Sequence, residues 1–426
     1  MPDYKRKKRS HFSAKPRADK SRFKENKERK NKIKFDDGTD IPKKKNGFAV
    51  LKGNKAEIKK RWQTFFIAVL AVILVLVGCQ LLMPAGLFET VQTLVLSMGG
   101  GSYPLEFESN HTENVVLKSN YYYVLTDSEV KVISFGGKEI FTYSHGFEKP
   151  VIKTSATRAI VFNQGGNDAV IFNLNKICST INCEKEIINA AIGDDGTYAL
   201  ITSADSYVAA VSVYKKNDKL LYEWYSSSDM VNNVVIAPSG KKIAISTLST
   251  NVGGFNSKLM ILNFKSANAE FTKEYSGEII YSLSAEYSRG VAVATANKYD
   301  FIRWNKYESR QYENEYNLQI LRESNKGALL VYNRENDKTD NRIVIISPKG
   351  EVKHELEFSG IITDICLKNN HIYCISDTKA YILDMEGKIV RTADCGFGAV
   401  RFAVVSQNEI AVITDNIVSK VKFEQG

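Results

Sequence analysis

Histidine is scarce in this chain. Its five copies (His11, His111, His145, His354 and His371) lie far apart, and none has the spacing of a metal or acid–base pair. A GxSxG elbow, an HExxH helix and a P-loop are also missing, which removes the local signatures of common hydrolases, metalloproteases and nucleotide-binding enzymes. Cysteine is nearly as sparse. Five of the six (Cys178, Cys183, Cys366, Cys374 and Cys395) lie outside the one long apolar run, and an odd number argues against a complete disulfide framework. No CxxC accompanies them, so a zinc signature is absent too. Cys178 with Cys183, and Cys366 with Cys374, could pair locally; as small apolar side chains in strands they need no partner. Asp194 and Asp195 tempt as a carboxylate pair, but Gly196 follows, and the three read as a turn. No local motif points to a catalytic residue, a cofactor or a metal. An active site gathered at a central channel from distant residues stays open.

Basic residues are absent from 84–101 and crowd the stretch before it. Residues 1–61 carry 23 Lys+Arg against 8 Asp+Glu, whereas 62–426 carry 35 against 40. The chain is thus a basic tail on a mildly acidic body. With few apolar side chains and no regular period, the tail reads as disordered. Between the two lies FFIAVLAVILVLVGCQLLM, Phe65 to Met83, without a charge and with Gln80 as its one polar side chain. As a helix it would span roughly 28 Å, close to the hydrocarbon core of a bilayer. Trp62 stands at its inner boundary, and Lys59, Lys60 and Arg61 precede it. The positive-inside rule then puts the amino terminus in the cytoplasm and the carboxyl-terminal body outside the plasma membrane. The tail reads as a topology signal that contacts anionic lipid headgroups through Lys59, Lys60, Arg61 and Trp62. KRKKR at 5–9 has the composition of a nucleic-acid patch, but the tail lacks the interleaved aromatics of strand binders, and nucleic acid is the weaker partner. LVGC at 76–79 has the order of a lipoprotein cleavage site. The long leader before it and the apolar residues after Cys79 favour an uncleaved anchor.

From Tyr103 onward no helical period appears. Short alternating strands follow one another, separated by turns. The clearest unit, ITDICLKNNHIYCISDTKAYILDMEGKIVRTAD at 362–394, reads as four strands joined by NN, DT and EG. Similar units start near Glu113, Pro150, Ile187, Val231, Ile279, Leu318, Ile361 and Val400, close to the 40–50-residue repeat of four-stranded propeller blades. The expected fold is all-β, a single β-propeller of eight blades, with seven as the alternative. The last unit has only three strands, and YPLEFES at 103–109 has no blade of its own, so it is expected to close the ring as the outer strand of the last blade. Residues 85–102 read as a short amphipathic helix, with Leu87, Val91, Leu94, Val95 and Met98 at helical spacing, followed by a hinge at Gly99–Gly101. Within the strand of Tyr121, Tyr122 and Tyr123, alternation turns the first and third to one face and the second to the other.

The turns GDDG at 193–196 and SGKK at 239–242 resemble those between the first two strands of bacterial WD40-like and quinoprotein-like propellers. The whole layout resembles an uncharacterised family of single-pass, membrane-anchored propellers from Gram-positive bacteria. The resemblance implies a fold and a location and brings no catalytic motif.

The longest connections inside blades are LSTNVGGFNSK at 248–258 and NRENDKTDN at 333–341. Both fall between second and third strands, so both emerge on one face of the disk, where a rigid scaffold would present binding residues. The candidates are Asn251, Phe255 and Asn256 in one, and Arg334, Asp337 and Asp340 in the other. The function expected is a non-enzymatic, extracytoplasmic binding module for a protein or cell-wall polymer. The alternatives are an enzyme, marked by ionisable residues converging on the channel, and a sensor signalling through the tail. A scaffold is marked instead by an apolar or aromatic rim.

Overall fold

The computed structural model describes residues 55–424 apart from 84, 108–110, 252–253, 287–288, 325 and 335–336, and no side chains at 55–61, 81–82 and 251. Helix α1 spans Lys55–Leu82. It starts seven residues before the boundary expected at Trp62, because KAEIKKR contains good helix formers and no Gly or Pro. The rest of the basic tail, and the side chains of Lys59, Lys60 and Arg61, lie outside the described residues. The stretch Trp62–Gln80 has a mean hydropathy of 2.4 and none of it is buried against protein, so α1 is long and apolar enough to cross a membrane.

Eight four-stranded antiparallel sheets follow. Blades 1 to 8 begin with the strands Thr112–Leu117, Pro150–Thr154, Ile187–Ile192, Met230–Ile236, Ser282–Ser284, Asn317–Ser324, Ile362–Lys368 and Arg401–Ser406. The fold is therefore the eight-bladed propeller. First strands touch one another from blade 1 through blade 5 and from blade 6 through blade 8, which places them innermost. Closure is as expected: Leu105–Glu106 pairs with Ile417–Lys422, with Leu105 opposite Val418, and becomes the fourth strand of blade 8.

Eight buried apolar clusters each bridge two neighbouring blades. The alternation at 121–123 accounts for two of them. Tyr121 and Tyr123 join the cluster shared with blade 2, and Tyr122 joins the one shared with blade 8. Small residues such as Ala159, Ala199, Ala292 and Ala411 are fully or almost fully buried and let the sheets approach closely. The six cysteines are free thiols. Cys366 and Cys374 are not bridged, and burial raises their thiols to about 11 and about 12, which makes them packing residues.

An antiparallel meander fixes which connections share a face. Turns from strand one to two and from three to four lie at one end of every blade; those from two to three and from each blade to the next lie at the other. Helix α2, Leu87–Ser97, docks at the first end. Its Glu89 takes hydrogen bonds from Arg158 Nε at 2.6 Å and Nη2 at 3.0 Å, and from Thr157 Oγ1 at 3.3 Å. Thr157 and Arg158 sit at the one-to-two turn of blade 2. The chain then runs over the three-to-four turn of blade 1, where Gly101 N–H donates to Gly136 O at 2.8 Å. A Cβ at Gly101 would come within 2.0 Å of Gly137 O, so this glycine, read as part of a hinge, permits close backbone packing. Gln80 is more than a polar interruption of the apolar run. Its Oε1 accepts from Leu87 N–H at 2.8 Å and caps α2.

Candidate binding face

The two expected loops are hairpins. Lys242–Asn251 pairs with Gly254–Asn263 until Asn251 faces Gly254, and Gly327–Arg334 pairs with Asp337–Ile346 until Arg334 faces Asp337. Both belong to ladders longer than those of most other blades. They project from the end opposite α2, on blades 4 and 6, with the shorter blade 5 between them. These segments read as loop because their residues are polar, yet strand pairing continues through them. Asn256 stands opposite Ser276 and Asp340 opposite Ser359, and the buried Ser257 and Asn341 donate to the Glu278 and Gly360 carbonyls.

The candidate residues have distinct roles. Phe255 is 49% exposed beside the tip of the blade 4 hairpin. Asn256 is half-buried, and its Oδ1 has no hydrogen-bond partner among the described residues. Asn251 lies on the strand, its side chain outside the described residues. On blade 6, Asp337 Oδ1 accepts from Thr339 N–H at 2.9 Å and Oγ1 at 2.6 Å, which lowers its pKa and marks it as a turn former. Arg334 pairs with Asp340 at 3.4 Å and donates to the Tyr316 hydroxyl at 2.9 Å. The guanidinium carbons of Arg334 and Arg342 lie 5.2 and 5.3 Å from the Tyr316 ring centre, a cation–π arrangement.

Of the exposed aromatics around them, the sequence singles out Phe255 alone. Tyr207, Tyr225, Phe255, Tyr281 and Phe397 are the exposed aromatic side chains of the propeller among the described residues. All five lie at the hairpin end: Tyr207 in the two-to-three connection of blade 3, Tyr225 at the end of its fourth strand, and Tyr281 and Phe397 between blades. Tyr207 and Tyr225 pair with ring centres 4.8 Å apart, and Phe397 is 88% exposed. Of the exposed aliphatics, Ile177, Leu220, Val352, Ile389 and Val390 lie toward the other end, and Val208, Met230 and Ile361 lie at the hairpin end beside the aromatics.

Ionisable groups also gather at the channel. Asp364 accepts from Arg322 Nε at 2.7 Å and from Phe402 N–H at 3.1 Å, with Arg401 Nη1 at 3.8 Å. These groups belong to the first strands of blades 6, 7 and 8 and occupy one another. No group of three or more His, Cys, Asp or Glu side chains among the described residues is placed to hold a metal. Asp194 and Asp195 lie in a turn as read: Asp195 holds it by accepting from Thr197 N–H and Oγ1, both at 2.9 Å, and Asp194 reaches across to blade 2 to accept from Ala156 N–H at 2.8 Å.

The repeat also carries a family signature, matched from 103 to 423 and thus including the closing strand. The chain belongs to the DUF5711 family. That family is described as one of unknown function. Among solved structures, this DUF5711 chain is similar to BamB from Moraxella catarrhalis, at 12% identity over 76% of this chain and 99% of that one, with a TM-score of 0.48. It is also similar to a chain of Kuenenia stuttgartiensis hydrazine synthase, at 12% identity, the same coverage and a TM-score of 0.42. No curated protein matches it.

Proposed function

We propose that this protein is a membrane-anchored, non-enzymatic binding module whose hairpin face receives an extracytoplasmic protein. One observation carries the reading: the exposed aromatics collect at the end of the disk opposite the docked α2. Aromatic side chains are enriched in protein interfaces and dominate their hot spots. Support for the anchor comes from α1 and from the direction in which α2 turns its apolar stripe. Glu89, Gln92, Thr93 and Leu96 lie toward the propeller, while Phe88, Val91, Leu94, Val95 and Met98 are exposed. An apolar stripe left open five residues after a bilayer-length helix suits the outer leaflet interface. The ion pair of Glu89 with Arg158 would then hold one face of the disk against the lipid and turn the other outward.

The test is crosslinking in intact membranes followed by affinity purification of the full chain. A protein partner is recovered with the native chain. The double variant Phe255→Asp, Phe397→Asp lowers its affinity on the order of thirty-fold per hot spot removed. Unchanged recovery, or crosslinks to wall polymer alone, contradicts the reading.

A further inference from the structure

On the α2 side, a cavity of about 520 Å³ opens between blades 3 and 4, lined by Lys215, Lys216, Lys241 and Lys265 around Leu221 and Phe264. We infer that this cavity binds the phosphate of an anionic phospholipid headgroup, an inference that rests on α1 being the membrane anchor. Four lysines from three turns converge: Lys215 and Lys216 on the three-to-four turn of blade 3, and Lys241 and Lys265 on the one-to-two and three-to-four turns of blade 4. All four are exposed, and none has a side-chain ion pair or hydrogen bond among the described residues. The acidic side chain lining the cavity, Asp195, has both oxygens engaged by Thr197. Against that one carboxylate the four ammonium groups leave the site net positive, which selects a multiply coordinated oxyanion, and lysine serves phosphate as a point charge. The apolar floor of Leu221 and Phe264 suits the glycerol and first methylenes behind a lipid phosphate better than a free ion.

Geometry favours the lipid source. A Cβ at Gly196 would sit 2.9 Å from Arg158 Nη1 on one side and 2.9 Å from Lys216 Cβ on the other. Arg158 is the residue that grips α2 through Glu89. The cavity therefore begins one residue from the contact that seats the interfacial helix, on the same face of the disk.

The test titrates fluorescent phosphatidylglycerol into the detergent-solubilised full chain. Binding saturates, phosphatidylcholine does not compete, and Lys216→Gln with Lys241→Gln weakens it about 25-fold, some five-fold for each ammonium removed. Lys216→Arg with Lys241→Arg retains binding, and an unchanged thermal melt shows the variants fold. Equal binding by native and Gln variants, or displacement by inorganic phosphate at matched concentration, overturns the inference. Membrane fractionation scores the anchor separately. A chain found in the soluble fraction refutes the anchor, whereas a membrane-bound chain without lipid preference refutes the cavity site alone.

Discussion

Replacing Asp364 with alanine is expected to lower the free energy of unfolding by about 3–5 kcal/mol, the cost of stripping a buried charge of its partner. Asp364 is 1% exposed and links three blades. It receives Arg322 from blade 6, stands on blade 7, and accepts the Phe402 N–H and faces Arg401 on blade 8. Without it, two guanidiniums face each other beside the channel. Desolvation and the charge of Arg322 already lower the Arg401 pKa to about 10, with Asp364 acting in the opposite direction. Removing the carboxylate leaves that repulsion unopposed and orphans the Phe402 N–H. Urea unfolding of native chain and variant measures the loss. A change below about 1 kcal/mol would mean that water already satisfies the site.

The second large effect is pH-dependent. Glu323, on the first strand of blade 6, accepts the Tyr299 hydroxyl at 2.8 Å. Burial raises its pKa to about 7, with Glu286 adding repulsion and the Tyr299 and Ser284 hydrogen bonds opposing. In the unfolded chain the carboxyl titrates near 4.5. The folded state therefore holds the proton more tightly, and its contribution is complete below pH 4.5. It is lost as pH rises, until both states are ionised above about 7. Glu323→Gln keeps an acceptor for Tyr299 and removes the titration. At pH 8 the variant is expected to be more stable than the native chain, on the order of 2 kcal/mol, and at pH 4 the two should be alike. Unfolding midpoints across this window decide it. Parallel curves would assign the pH dependence elsewhere.

What the sequence reveals and what it hides follow from the length scale of each feature. Blade starts were readable because strand alternation and turn residues are local. The expected starts at Pro150 and Ile187 coincide with those observed, and Glu113, Val231, Leu318, Ile361 and Val400 fall one residue away. Ile279 is three residues early because Ile279 to Tyr281 form an apolar connection before the short strand Ser282–Ser284. Ring closure was readable from a missing strand at one end and a spare one at the other. The hairpins at 248–258 and 333–341 read as loops because their residues are polar even where strand pairing continues. Contacts across distant residues carry no local sign. Glu89 and Arg158 are 69 residues apart, the Arg322, Asp364 and Arg401 cluster spans three repeats, and the lysines of the cavity are individually ordinary turn residues. Which aromatics beside Phe255 form the rim is hidden in the sequence for a related reason. Most of the 42 Tyr and Phe residues pack between blades, and only topology shows that the exposed few share one end.

The central claim is that one face of the disk sits on lipid and the other faces away. Photoactivatable phospholipid crosslinking of the full chain in nanodiscs, mapped by mass spectrometry, tests it most directly. The account predicts crosslinks on α1, on α2 from Phe88 to Met98 and on the turns carrying Lys215, Lys216, Lys241 and Lys265, with none on 248–258, 333–341 or Phe397. Crosslinks on those hairpins, with the lysine turns and α2 left unmarked, would contradict it.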